Sequence, residues 1–213
     1  MRKLMEVKKG KKVSENIKRI VIMLSGRGSN MAAIINNVED GLLQGLCEII
    51  EVFSDNIQAK GLQTAHSKGF KIFALDSEKY TRKEYNSFLL KHLETLQPDL
   101  IVLAGYMKIL PKSIVRAFPK KIINIHPADT KIHQGLDGYK WACETKLKTT
   151  KITVHYVDEG LDSGEIIAQK EVDISLAKTL DEVEKIGLKA EHELYSQVIL
   201  SLVKENEINS ASI

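Results

Sequence analysis

Five apolar residues in a row, Ile20-Val21-Ile22-Met23-Leu24, run directly into the turn Ser25-Gly26-Arg27-Gly28-Ser29-Asn30. An unbroken apolar run suits a parallel strand buried on both faces, because such a strand has no solvated side to alternate with. The turn opens a segment with Met31, Ile34, Ile35 and Val38 at helical spacing. Strand, glycine turn and helix in that order start a βαβ unit, and free N–H groups at the helix start make a ready anion site. The turn is not a dinucleotide fingerprint: the third glycine of GxGxxG would fall at Met31, and the P-loop lysine is absent. A single phosphate fits it better than a pyrophosphate. A plain tight turn with Ser29 or Asn30 as helix cap is the alternative.

The alternation continues. Residues 48–53 read as a strand, 59–67 as a helix and 71–75 as a short strand. Thr81-Arg82-Lys83-Glu84 is a capping box, followed by Tyr85, Phe88, Leu89, Leu93 and Leu96 on one helical face. Residues 100–104 form another buried strand, closing on Gly105-Tyr106-Met107-Lys108-Ile109-Leu110-Pro111. Strands that alternate with helices predict right-handed crossovers and a parallel sheet. Residues 151–157 and 165–172 flank a glycine-punctuated connection and predict a hairpin. Thr179-Leu180-Asp181-Glu182 caps a long helix with Val183, Ile186, Ala190, Leu194 and Val198 inward. The expected fold is therefore α/β: a Rossmann-like, mostly parallel sheet flanked by helices, with an antiparallel strand pair near the carboxy-terminal end.

Within this pattern Ile122-Ile123-Asn124-Ile125-His126-Pro127 is a short strand ended by proline. Alternate residues of a strand share a face, so Asn124 and His126 point the same way. Ligands of open α/β sheets sit outside the carboxyl ends of the strands. The glycine turn, the Gly105 loop and Asn124/His126 would border one crevice there. An amide donor beside a group titrating near neutrality suits oxyanion stabilisation with proton movement. A satisfied structural histidine is the plainer alternative. The loop that follows, 128–138, holds Asp129, Lys131 and His133 without apolar period and is expected to be a mobile flap.

With 213 residues and 43% hydrophobic content, one domain over 19–204 is expected, with a polar tail over 205–213. Residues 1–18 form a basic, mobile extension on this reading, crowded with Arg2, Lys3, Lys8, Lys9, Lys11, Lys12 and Lys18. Its apolar residues are too few for a signal-peptide core. The net charge of +3 is too mild to argue for a nucleic-acid surface, so neither nucleic acid nor membrane is expected as partner; RNA binding by the arm is the exception to consider. Cys47 and Cys143 have no CxxC partner, which suits reduced thiols in a cytoplasmic protein. An oligomer is possible but not derivable.

Asn124-x-His126-Pro127 followed by Leu161-Asp162-Ser163-Gly164, with the early glycine turn and Leu103-Ala104-Gly105-Tyr106-Met107 between, resembles the glycinamide ribonucleotide formyltransferases. The resemblance runs in order from about residue 19 to 204, and these are one branch of the folate-dependent formyltransferases. It implies formyl transfer from 10-formyltetrahydrofolate, as cosubstrate, to 5-phosphoribosylglycinamide in purine biosynthesis, with small-molecule substrates only and no metal. It implies Asn124, His126 and Asp162 as the catalytic trio: Asn124 for the oxyanion, His126 for the proton, Asp162 to orient His126 and raise its pKa. Gly28, Ser29 and Asn30 match the family's phosphate loop, and Glu191 its ribose carboxylate. Arg82, the segment Met107, Lys108, Ile109 and Leu110, and the loop Asp158, Glu159, Gly160 and Leu161 match its folate contacts, to which Asn124 also belongs. His155 sits beside the trio in the family, where a structural role is equally open.

The chain departs from the family pattern at Ala128, Asp129, Thr130 and Lys131, where Ser-Leu-Leu-Pro is usual, and at Lys108, Asp137 and Leu188. These changes spare the trio and bear on how the loop closes and how the acceptor is held. A hydrolase of 10-formyltetrahydrofolate, or a transferase for another amine, uses the same chemistry. A non-catalytic nucleotide-binding module is the alternative from a different class.

Overall fold

A computed structural model describes residues 17–210. The basic arm lies outside them except for Ile17 and Lys18, as do residues 211–213 of the tail. The chain runs β1 (Lys18–Leu24), α1 (Ser29–Asp40), β2 (Cys47–Ser54), α2 (Lys60–Ser67), β3 (Ile72–Ala74) and α3 (Arg82–Leu96). It continues through β4 (Leu100–Leu103), α4 (Lys112–Ala117), β5 (Ile122–His126), α5 (Gly138–Glu144), β6 (Thr149–Tyr156), β7 (Ile166–Asp173) and α6 (Leu180–Ser210). The last helix thus enters the segment assigned from sequence to a polar tail.

All seven strands join one sheet in the order β3-β2-β1-β4-β5-β6-β7. β1 to β5 pair in parallel, whereas β5 pairs with β6, and β6 with β7, in antiparallel fashion. This is the α/β fold expected, including its antiparallel end. Alternation along β1 explains the two layers. Ile20, Ile22 and Leu24 pack with residues of α1, α2, α5 and α6, and Val21 and Met23 with residues of α3 and α4. The capping box at Thr81 forms as read, with Thr81 accepting from the Glu84 N–H and Glu84 reaching back to the Thr81 N–H.

Because β1 lies between β2 and β4, the chain reverses direction across the sheet at the carboxyl ends of β1 and β4, a topological switch point. The loops leaving these strands are joined there: Ser25 N–H donates to Gly105 O at 2.9 Å and Met107 N–H to Ser25 Oγ at 2.8 Å. The functional site is built on this junction. The sequence pattern does not mark α4, which is short, starts after Pro111 and buries only Ile114.

Candidate active site

The carboxyl ends of β4 and β5 and the loops beyond β5 and β6 enclose a cavity of about 870 Å³. Asn124 and His126 line it from β5, one pleat apart, and Asp162 from the β6–β7 connection. Asn124 Nδ2 donates to Asp162 Oδ1 at 3.2 Å and lies 3.4 Å from His155 Nε2, so its amide is shared between two groups of the cluster. His126 Nδ1 lies 3.6 Å from Asp162 Oδ2. The trio predicted from sequence is therefore one cluster.

Asp162 adopts a left-handed backbone, φ 47°, a conformation that costs a non-glycine residue energy and is held by the surrounding structure. Its Oδ2 accepts the Gly135 N–H at 2.9 Å, and its Oδ1 lies 3.5 Å from His155 Nε2. Burial pushes the Asp162 carboxyl up, but His155, the Gly135 N–H and His126 outweigh it, so its pKa falls below the usual range. Asp162 is an anion in the site.

His126 departs from the sequence expectation. Asp162 was expected to raise its pKa; the net direction is down, because burial to 4% exposure outweighs Asp162 and the His133 carbonyl. His126 is thus a neutral base near pH 7. Its tautomer follows from its partner: the His133 carbonyl, 2.9 Å from Nε2, can only accept, so Nε2 carries the hydrogen and Nδ1 is free to take a proton. The 3.6 Å gap to Asp162 exceeds a hydrogen bond, so the carboxylate acts on the imidazole through its charge.

His155, left open from sequence, lies directly across the β5–β6 pair from Asn124 and lines the same cavity. Its Nδ1 donates to Tyr156 O at 2.8 Å, which turns Nε2 toward Asp162 and Asn124. Only the strand register, invisible in the sequence, brings it there.

The loop 128–138 is tied down, unlike the loose flap expected. Lys151 Nζ pairs with Asp129 Oδ2 at 2.8 Å, Gln169 Nε2 donates to Asp129 Oδ1 at 3.3 Å, and Thr153 Oγ1 donates to Ala128 O at 2.7 Å. His133 stacks on Trp141, ring centroids 4.7 Å apart. The residues that depart from the family pattern here, Ala128 and Asp129, are the ones that fasten the loop to β6 and β7.

Met107, Lys108, Ile109 and Leu110 line the cavity, as do Asp158, Gly160 and Leu161. Met107 and Ile109 are 59% and 64% exposed, so the cavity has an open apolar rim. Glu159 turns away from it, paired with Arg116 at 2.6 Å and Lys112 at 3.0 Å, which hold its carboxyl down to about 2. Arg82 lies in a separate groove with Lys83, Asn86, Ser87 and Ser113. Gly28, Ser29, Asn30 and Glu191 do not line the cavity.

Gly28 serves as N-cap of α1 with φ 75°, and neither Ser29 nor Asn30 caps the helix. Asn30 instead donates its amide to Glu191 on α6, and Tyr139 donates its hydroxyl to the other Glu191 oxygen. Burial raises the Glu191 pKa, while Tyr139 and Asn30 pull it back. The sequence reading missed Tyr139, which follows Gly138 in the departing segment. Among the described residues no group of three or more His, Cys, Asp or Glu side chains is placed to hold a metal ion, and no helix is long and apolar enough to cross a membrane.

The family model described as formyl transferase matches residues 18–199. The chain belongs to the formyl transferase family. A phosphoribosylglycinamide formyltransferase of Bacillus subtilis is 34% identical over 89% of this formyl transferase and 97% of its own length. The trifunctional purine biosynthetic protein adenosine-3 of Drosophila melanogaster is 33% identical over 95% of the chain, which spans only 15% of that longer protein. The crystal structure of glycinamide ribonucleotide transformylase 1 from Symbiobacterium toebii superimposes with a TM-score of 0.83 at 31% identity, covering 89% of each chain. The fold of this formyl transferase is thus shared with relatives of that name.

Proposed function

We propose that the protein transfers the formyl group of 10-formyltetrahydrofolate to the amine of 5-phosphoribosylglycinamide, a step of purine biosynthesis. The observation that carries this reading is the convergence of Asn124, His126 and Asp162 beneath a cavity with an exposed apolar rim. A cavity of about 870 Å³ is of the size that holds a cofactor-sized ligand, and Met107, Ile109 and Leu161 offer apolar contact to a flat ring system. The family and the named relatives support the same substrates.

The residues account for the chemistry as follows. The acceptor amine attacks the formyl carbon, and the Asn124 amide, exchanging its long 3.4 Å contact with His155 Nε2, donates to the oxyanion that develops. His126 Nδ1 takes the proton the amine loses, and Asp162 stabilises the imidazolium at 3.6 Å. The same proton then goes to folate N10 as the bond from N10 to the formyl carbon breaks. Each proton removed is accounted for without a metal or a covalent enzyme intermediate. His133 O and the Gly135 N–H hold the imidazole and the carboxylate in place during the transfer. Two free cysteines, Cys47 and Cys143, fit a reducing cytoplasmic setting.

The test is an incubation of the full chain with 10-formyltetrahydrofolate and the ribonucleotide, with each omitted in turn. Deformylated folate should accumulate only when both are present. Equal formate release without the ribonucleotide would identify a hydrolase, and binding without turnover a non-catalytic module.

A further inference from the structure

One face of β6 holds both the catalytic cluster and the loop beside it. Lys151, Thr153 and His155 alternate along the strand, so their side chains share that face. His155 reaches Asn124 and Asp162, and Thr153 lies directly across the β5–β6 pair from His126. Thr153 Oγ1 donates to Ala128 O, and Lys151 Nζ pairs with Asp129 Oδ2 at 2.8 Å. Gln169, opposite Thr153 on β7, donates from Nε2 to Thr153 Oγ1 at 2.9 Å and to Asp129 Oδ1 at 3.3 Å.

Asp129 carries this hold into the loop by two routes. Its side chain accepts the Lys131 N–H at 3.1 Å, and its carbonyl accepts the Ile132 and His133 N–H groups at 2.8 and 2.9 Å. The turn 129–133 is thus closed on Asp129, and it ends at the His133 carbonyl, 2.9 Å from His126 Nε2. Lys151 holds the Asp129 carboxyl below the usual range, the Lys131 N–H and Gln169 adding to it against burial. Asp129, Lys151 and Gln169 do not line the cavity, so any effect they have on catalysis passes through the loop.

The His133 carbonyl decides which nitrogen of His126 is the base. Asp162, an anion 3.6 Å from Nδ1, would by itself draw the imidazole hydrogen to that side. A neutral ring with its hydrogen on Nδ1 has no lone pair there to take a proton from the attacking amine. We propose that Asp129 is a positioning residue for His126: clamped by Lys151 and Gln169, it fixes the turn whose carbonyl keeps the hydrogen on Nε2 and leaves Nδ1 free. This rests on the reading of His126 as the proton carrier given above.

The test reads the imidazole tautomer by NMR and the kinetics of the same full-chain variants. In ligand-free wild type, at a pH above the His126 midpoint, the Nδ1 and Nε2 resonances should be widely split, with the hydrogen on Nε2. Asp129→Ala and Lys151→Met should draw the two resonances together or reverse them as the hydrogen moves to Nδ1. Both should lower kcat by roughly 10- to 100-fold, the cost of a misplaced group, with KM for either substrate little changed. Lys151→Met leaves the backbone bonds of the turn in place, so it carries the test where Asp129→Ala does not fold. Lys170→Met breaks a 2.6 Å ion pair with Glu193 on the other face of β7 and should leave both readouts as in wild type. An unchanged tautomer in the folded Asp129 and Lys151 variants overturns the proposal, as does an equal change in Lys170→Met. If wild type transfers no formyl group, the reading of the reaction fails instead, and the resonances still decide the role of Asp129.

Discussion

His126 Nδ1 faces Asp162 Oδ2 at 3.6 Å while its other nitrogen donates to the His133 carbonyl at 2.9 Å. Two acceptors therefore await an imidazolium, yet burial holds the ring neutral. The tension sets the direction of its titration. The pKa lies below its ordinary value of 6.5, with Asp162 working against the larger effect of burial. A proton titration of the folded protein by NMR should place His126 below 6.5, and Asp162→Asn should lower it further. The acid limb of kcat/KM should likewise lie below that value. The sign for stability follows: the unfolded chain binds this proton more readily, so the His126 contribution is full above 6.5 and declines as pH falls from there toward the folded value. A midpoint above 6.5 would show that Asp162 dominates after all.

Removing the trio one member at a time should separate its roles. His126→Ala should lower kcat by roughly 10²- to 10⁴-fold, the range of a positioned acid–base group. Asn124→Ala should lower it by roughly 10²- to 10³-fold, as one lost oxyanion donor does. Both should leave the acceptor KM largely unchanged, because neither residue touches Asn30 or Glu191, which the family resemblance assigns to the acceptor. Steady-state kinetics with each substrate varied decide this, and a pure KM effect of Asn124→Ala would remove it from the oxyanion.

What could be read in advance, and what could not, has a physical dividing line. The β1 apolar run and the Thr81 and Thr179 capping boxes are local, so their geometry follows from neighbours in the chain. Asn124 and His126 share a face by strand period alone. By contrast, His155 joins the trio only through antiparallel register, and Asn30 meets Glu191 across 161 positions of sequence. Asp129 shows the limit well. In the sequence it is one more polar loop residue, and only the approach of Lys151 and Gln169 from β6 and β7 makes it an anchor. The net direction of the His126 pKa has the same origin: Asp162, recognisable by motif, raises it as expected, but burial, which belongs to the whole fold, outweighs it.

Gly28 tests whether the glycine turn is a structural requirement of the fold. Its φ of 75° is in the left-handed region, and a Cβ there would sit 2.8 Å from Gly61 Cα, a backbone atom that cannot swing aside. Gly28→Ala should therefore destabilise the fold by about 1–3 kcal/mol, combining backbone strain with overpacking. Urea unfolding should show a lower midpoint with an unchanged slope. Wild-type stability in this variant would mean that α1 and α2 can separate freely at that point.

Ser25 links the turn after β1 to the loop after β4, and the link is unequal on its two sides. On the turn side, Ser25 N–H donates to Gly105 O at 2.9 Å and Gly61 N–H to Gly26 O at 3.0 Å, and neither bond uses a side chain. On the loop side, the Met107 N–H donates to Ser25 Oγ at 2.8 Å, and Ser25 Oγ in turn donates to Asp55 Oδ1 at 2.6 Å. Ser25→Ala should thus leave the glycine turn in place and free the Met107–Leu110 segment that lines the proposed folate side of the cavity. Losing one such bond corresponds to about a 2- to 10-fold weakening. The KM for 10-formyltetrahydrofolate should rise by that factor, with a smaller change in the KM for the ribonucleotide. An equal rise in both would mean that Ser25 steadies the turn itself, and a rise confined to the ribonucleotide would exchange the roles of the two loops.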